Sequence, residues 1–156
     1  MFVATLKGSF GAVEGTLTID EDDPSRSNAN ASIHVTTIRT GIALRDAHLR
    51  SGQFFHVSEF PTMTFRSTQI DQIAAARWDV TGELTIRDVT KAVVLKTVFL
   101  GLLPTRDSSR HAKFTASSEL DRREFGLGLH GPGGLVGDRV SVTLEIRATS
   151  LDGSVL

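Results

Sequence analysis

The sequence predicts an all-β protein, a closed or nearly closed antiparallel barrel of about eight strands with a short helical excursion near residues 42–57. Apolar and polar residues alternate with a period of two in segment after segment, which is typical of strands with one buried and one wet face. Turn-forming residues separate these segments. Helical spacing is convincing only around residues 44–55.

The strands can be placed from this alternation. It is clearest in residues 13–19, 78–86, 112–120 and 140–146, and weaker in residues 2–8, 30–38 and 63–70. Each segment should bury its apolar set on one face of the sheet. Residues 92–100 are apolar on both faces, which predicts a strand beneath a second layer.

Turn chemistry predicts the connections between the strands. Residues 22–25, 104–107 and 131–134 are rich in Asp, Pro, Ser or Gly. Residues 122–126 are expected to form a helical turn, and residues 126–128 a flexible turn. The acids and bases of residues 119–124 are expected to form a salt-bridged turn on the surface.

Small residues on the inward faces are compatible with either a closely packed interior or an open lumen. They are Gly15, Ala31, Gly82, Ala112 and Ala116. Close packing and bulges would account for them. A lumen left open for one apolar guest would do so as well, because a barrel of about eight strands has room for a small ligand.

Composition narrows the function classes. The 156 residues are expected to form one domain, residues 1–156. A net charge of -1 without a basic patch argues against nucleic-acid binding. The lack of cysteine excludes disulfides and thiolate metal sites. With no signal peptide and no integral membrane segment in the sequence, we expect a cytoplasmic protein.

Sites for catalysis or metal binding are poorly supported. Asp46 and His48 lie two residues apart, so they would not share a helix face, and an exposed turn or lid anchor is the commoner role. The other histidines lack ligand spacing, and we expect neither a metal nor a cofactor. The aromatic set of nine Phe, one Trp and no Tyr suits a hydrocarbon site, although core packing is the more frequent role of any Phe.

Several segments, in order along the chain, resemble the YceI-like polyisoprenoid-binding family. They are GSFGAVEGTLTIDEDDPSRS, RDAHLRS, FFHVSEFPTMTFRST, GELTIRDVTKAVVL, LDRREFG and LVGDRVSVTLEI. In LDRREFG, Asp121 and Glu124 stand where the family usually has Asn and Asp. The resemblance covers nearly the whole chain.

The resemblance implies a lipocalin-like barrel that holds a polyisoprenoid or similar lipid without catalysis, for transport, storage or sequestration. Aromatic and apolar residues would line or close the lumen, namely Phe54, Phe55, Phe60, Met63, Phe65, Trp78, Leu84, Phe99 and Phe114. Arg45 and Asp46 would brace the helical excursion. The bound lipid would be the ligand, with no other cofactor.

One departure from the family concerns the start of the chain. Family members usually begin with a strand that carries a Trp-x-Ile-Asp…His-Ser motif, and this sequence starts just after that point. A missing first strand would leave an open sheet edge, which predicts a homodimer or strand exchange across it. Two other functions stay open, an enzyme acting on an apolar substrate through Asp46 and His48 or the Asp121–Glu124 turn, and a packed β domain for protein interaction.

Overall fold

A computed structural model describes residues 9–20, 22–103, 111–128 and 137–149. Nine strands account for most of them: β1 Ser9–Phe10, β2 Val13–Thr18, β3 Asn28–His34, β4 Ile38–Arg39, β5 Thr62–Ala74, β6 Arg77–Ile86, β7 Val89–Leu103, β8 His111–Asp121 and β9 Arg139–Thr149. The helix α1 spans Ala43–Arg50. Short 3-10 turns occupy Pro24–Arg26, Val35–Thr37 and Arg122–Phe125.

The strands form an antiparallel half-barrel. Seven of them make one sheet in the order β2-β3-β5-β6-β7-β8-β9, and β1 pairs with β4. Nearly every strand of the large sheet is therefore bonded to its neighbour in sequence, as in an up-and-down barrel. The lipocalin-like, all-β fold with one helical excursion is confirmed. The helix itself ends at Arg50, and turns make up the rest of the predicted excursion.

Alternation gave the correct inward face where the strand lies in the middle of the sheet. In β6, Val80, Leu84 and Ile86 are buried, and in β8 the same is true of Ala112 and Phe114. Their neighbours in sequence are more exposed in both strands. This concave face packs against α1 and the turns around it. The buried cluster is Val35, Ile38, Leu49, Phe54, Met63, Phe65, Ile70, Val80, Leu84, Ile86, Phe125 and Leu127.

Gly82 supports the close-packing reading of the small inward residues. A Cβ on Gly82 would lie 2.6 Å from the carbonyl oxygen of Arg66 and would overlap the ring of Phe65. The missing side chain thus makes room for an aromatic ring from the neighbouring strand.

The prediction of a second layer over residues 92–100 is wrong. In β7, Val93 and Leu95 on the concave face are half-buried, whereas Val94 and Leu100 are exposed. No layer of the described residues buries this outer face. The strand carries apolar residues on a face that is exposed. The prediction failed because apolar composition alone does not show whether another element covers that face.

The edge strand β2 also differs from its prediction. Its apolar set should have been buried, but all six residues are exposed, including Val13 and Leu17. The strand is paired on one side only, with β3, within the described part of the sheet. An edge strand covered on neither face keeps its alternation without gaining burial.

The predicted turn at residues 22–25 is confirmed as the start of a 3-10 turn, in which Asp23 accepts a hydrogen bond from the backbone N–H of Ser25. The predicted strand at residues 2–8 lies outside the described residues. The same holds for the predicted turns at residues 104–107 and 131–134.

Candidate ligand-binding site

The concave face of the sheet is covered at one end by residues 43–60, here called the lid segment. It consists of α1 and the turns that follow it. On the inner side, Leu49 and Phe54 are buried in the core cluster, and Phe55 and Val57 pack against that cluster. The lid segment is therefore part of the hydrophobic core and not an appendage.

Thr40 fixes the start of the lid segment. Asp46 is buried, and its Oδ1 accepts a hydrogen bond from the backbone N–H of Thr40 at 2.9 Å and another from the Thr40 hydroxyl. Arg45 donates from Nε to the Thr40 hydroxyl at 2.8 Å and from Nη2 to the Thr40 carbonyl at 2.7 Å. Arg50 donates to the carbonyls of Thr36 and Ile38, at 2.9 Å each. The charged groups of α1 thus hold the helix against the chain that precedes it.

Arg87 holds the end of the lid segment from the opposite side. It lies in the two-residue turn between β6 and β7. Its backbone φ is 57°, a value that residues other than glycine rarely adopt. Its Nη1 donates to the carbonyls of Gly52 and Phe54 at 3.2 and 3.3 Å. Its guanidinium lies 5.8 Å from the centre of the Phe60 ring. These contacts join the turn to the lid segment.

The residues predicted to line a lumen fall into four groups. Phe54, Met63, Phe65 and Leu84 are buried in the core cluster, while Phe55 and Trp78 pack against it and are half-buried. Phe99 and Phe114 pair across β7 and β8, with ring centres 5.3 Å apart. Phe60 instead contacts the ring of His56 and lies beside Arg87.

An apolar path connects these groups along the concave face. The strand register places Val80 beside Leu95, and Trp78 beside Thr97 and then Ala116. Phe114 is followed by Ile146 on β9. The face is mainly apolar from the lid segment to the far edge of the sheet, with Thr97 as a polar residue on it. Part of it is only half-buried, namely Trp78, Val93, Leu95 and Phe99.

Sequence reasoning missed Arg122. We expected a surface turn there, but Arg122 is buried. Its guanidinium donates to the Leu127 carbonyl at 2.7 Å, to the Gly137 carbonyl at 3.2 Å and to Asp138 Oδ1 at 2.8 Å. The signal was weak, because these partners are up to 16 residues away and no local spacing reveals them.

The turn at residues 126–128 was expected to be flexible, and it is packed. Leu127 is buried, and the N–H of Gly128 donates to the Gln53 carbonyl at 2.7 Å. Gly126 and Gly128 both have a positive φ, which explains the choice of glycine. A Cβ on Gly128 would lie 2.8 Å from the Phe54 ring, so this turn closes directly onto the lid segment.

The half-buried Asp121 and the exposed Arg123 form an ion pair at this turn. The Asp121 carboxylate caps the 3-10 turn by accepting from the Arg123 backbone N–H at 2.9 Å. The Arg123 guanidinium donates to the same carboxylate at 2.7 Å. Hydrogen bonds from the Arg123 side chain, and then from its backbone, lower the pKa of Asp121 to about 2.

Asp46 and His48 do not form a catalytic pair. Asp46 is hydrogen-bonded to Thr40, whereas His48 is exposed and its Nε2 pairs with Gln53 Oε1. Within the described residues, no group of three or more His, Cys, Asp and Glu side chains is placed to hold a metal ion. None of the helices in the described ranges is long and apolar enough to cross a membrane.

Comparison with known proteins identifies the family. The model of the YceI-like domain matches residues 1–148. The chain belongs to the YceI-like family. The YceI proteins of Salmonella arizonae and Salmonella newport are 35% identical to it over 122 residues, which is 78% of this chain and 63% of theirs. The match therefore spans less than two thirds of these YceI relatives.

Solved structures of other proteins support the same fold. The crystal structure of the YceI protein of Campylobacter jejuni has a TM-score of 0.87 at 22% identity, over 97% of this chain and 89% of that one. BcnA of Burkholderia cenocepacia has a TM-score of 0.77 at 20% identity, over 90% of this chain and 86% of its own. The YceI resemblance seen in the sequence is thus confirmed.

Proposed function

We propose that this YceI-like protein binds a long apolar ligand, a polyisoprenoid or a similar lipid, on the concave face of its half-barrel without transforming it. The supporting observation is the apolar path along the concave face, part of which the protein's own side chains leave half-exposed. Trp78, Val93, Leu95 and Phe99 line it, and they are only half-buried. A concave apolar surface that the protein covers only in part is a common form of lipid site.

The chemistry of this surface suits a hydrocarbon chain. Each CH₂ group transferred from water onto it would contribute about 0.8 kcal/mol, so several isoprene units suffice for tight binding without a charged partner. In this proposal the nine aromatic and apolar residues predicted above contact or enclose the ligand. Arg45 and Asp46 act indirectly, by positioning α1 through Thr40.

The two other functions have less support. An enzyme that used Asp46 to orient His48 would need the two side chains in contact, and they have separate partners. A packed interaction domain would need no half-buried apolar path. Transport, storage and sequestration are all compatible with the proposed binding.

Gentle purification followed by organic extraction and mass spectrometry tests the proposal. We expect a stoichiometric apolar lipid in the extract. An empty extract, together with no binding of added farnesol or geranylgeraniol, would contradict it. The single tryptophan offers the readout, because Trp78 lies on the proposed path and its fluorescence should change on binding.

Two adjacent residues provide a matched pair of variants. Val93→Asp places a carboxylate on the concave face and should weaken geranylgeraniol binding at least tenfold, because the charge would lose water when the ligand covers it. Val94→Asp introduces the same charge on the exposed outer face and should bind normally. Equal affinities for the two variants would place the ligand elsewhere.

We also propose a homodimer formed through β2. This strand lies at an edge of the described sheet, and its apolar residues are exposed. Backbone groups that are unpaired within the described sheet, together with an apolar face, favour pairing with a second copy.

A further inference from the structure

Helix α1 presents an apolar surface to solvent. Leu44 is 82% exposed and Ile42, immediately before the helix, is 53% exposed. Ala43 and Ala47 are exposed as well. Ala43 and Leu44 both adjoin Ala47, since positions three and four apart adjoin on a helix, and Ile42 precedes Ala43 directly. We call Ile42, Ala43, Leu44 and Ala47 the outer patch.

The outer patch departs from the usual polarity of a surface helix. Such a helix normally turns charged residues outward and apolar residues inward. In α1, Asp46 is buried, and Arg45 and Arg50 are bonded to the preceding chain. The large apolar side chains of Ile42 and Leu44 are therefore exposed to solvent, while the charged side chains of the same helix contact the protein.

Positive charge predominates in the sequence around the outer patch. Residues 39–50 hold three arginines and one aspartate, whereas the rest of the chain has three more acids than bases. The aspartate, Asp46, is buried, and Arg39 is exposed. An apolar surface flanked by arginines complements the interface of an anionic bilayer, where apolar side chains enter the acyl region and cations stay among the head groups.

We infer that the outer patch is a membrane-docking surface, at which the protein meets an anionic lipid bilayer. This inference rests on the proposed lipid binding, and it adds where the lipid is exchanged. Leu49, on the opposite side of α1, is buried in the core cluster. One helix therefore separates the docked bilayer from the concave face, so that docking brings the ligand site and the lipid source to the two sides of a single element.

Sedimentation with lipid vesicles tests this inference. The wild-type protein should bind vesicles of phosphatidylcholine containing about 30% phosphatidylglycerol, and bind pure phosphatidylcholine more weakly. Replacing both large side chains, Ile42→Ser with Leu44→Ser, should weaken binding at least about tenfold. Arg39→Gln should weaken binding to the anionic vesicles alone, by about fivefold.

A remote pair of substitutions provides the control. Ile73 and Leu100 are 60% and 52% exposed and lie on β5 and β7. Ile73→Ser with Leu100→Ser removes similar apolar area and should leave vesicle binding unchanged. Equal binding by the Ile42/Leu44 variant and the wild type would overturn the inference. So would a wild-type dimer that these two substitutions dissociate without vesicles, since the outer patch would then be a contact between copies.

Ligand binding in solution separates this inference from the proposed function. The Ile42/Leu44 variant should bind added geranylgeraniol as tightly as the wild type, because both side chains are exposed and lie outside the core cluster. A wild-type protein that binds anionic vesicles but never carries a lipid would refute the proposed function. One that carries lipid but ignores vesicles would refute membrane docking.

Discussion

Gly82 shows how closely neighbouring strands pack on the concave face. We expect Gly82→Ala to lower the free energy of unfolding by about 3 kcal/mol, because the added methyl group would overlap the Phe65 ring and the Arg66 carbonyl. Urea denaturation measures this change. Gly52→Ala is the matched control, since its Cβ would lie 3.8 Å from the nearest atom, in the His56 ring. A Gly82→Ala protein as stable as this control would mean that the ring has room to move.

Asp121 predicts a specific acid dependence of stability. Its pKa is lowered in the folded protein from 3.8 to about 2, so the carboxylate stabilises the fold fully above the ordinary pKa. That contribution should be lost as the pH falls from 4 through 2. Unfolding in urea across this range should show a steeper decline for the wild type than for Asp121→Asn.

Arg123 provides the complementary test, because its hydrogen bonds are the main cause of the lowered pKa of Asp121. Arg123→Gln should raise that pKa toward its ordinary value, as followed by the NMR shift of the Asp121 carboxyl carbon. An unchanged titration would assign the low pKa to another group.

At the scale of residues, the sequence predicted the burial of side chains whose neighbours are close in sequence or follow the strand period. The buried positions of Phe65 and Leu84 follow from alternation, because each side chain simply takes the side its strand turns inward. Arg122 could not be predicted in this way. A charged residue is buried only where distant partners satisfy it, and its partner Asp138 belongs to another part of the chain.

At the scale of elements, Arg87 links the β6–β7 turn to the lid segment. Arg87→Ala and Arg87→Gly both remove its contacts with Gly52, Phe54 and Phe60, but only glycine relieves the positive φ. We therefore expect the glycine variant to be more stable than the alanine variant by about 1 kcal/mol. Thermal or urea unfolding measures this difference.

Both variants should also loosen the lid segment. Amide hydrogens of residues 54–60 should exchange faster than in the wild type, while those of β6 should not. Equal stability of the two variants would show that the turn is unstrained. Unchanged exchange in residues 54–60 would show that other contacts hold the segment.

Alternation predicted where strands occur better than it predicted which of their faces are covered. The prediction succeeds for β6 and β8, which have neighbours on both sides and an occupied concave face. It fails on burial for β2 and for the outer face of β7. In both cases the apolar residues are where the pattern put them, but the covering element depends on tertiary arrangement, which a period of two does not encode.

At the scale of the whole molecule, the exposed β2 edge predicts a dimer. Sedimentation velocity should show the wild type at twice the monomer mass. Leu17→Lys, which places a charge on the edge strand, should dissociate the dimer. Val94→Lys, on the exposed face of the interior strand β7, should not. A wild-type monomer would remove the proposed pairing.

The overall fold was the most predictable property of the chain. Regular strands with short connections leave few alternatives to an up-and-down sheet, and the ordered family segments pointed to the same architecture. The ligand path was less predictable. It depends on how far the sheet curls and on which apolar residues the lid segment leaves uncovered.

The sequential strand order has a consequence for folding. The strands from β5 to β9 each pair with the next in sequence, so this part of the sheet can grow by successive hairpins with low loop-closure entropy. The lid segment instead lies within the long connection between β3 and β5. We expect pulse-labelled hydrogen exchange to protect β6 and β7 before residues 54–60. Earlier protection of residues 54–60 would refute this order. A nascent chain would then expose its apolar concave surface to water until the lid segment covers it, so the unfinished sheet is the stage of folding most prone to aggregation.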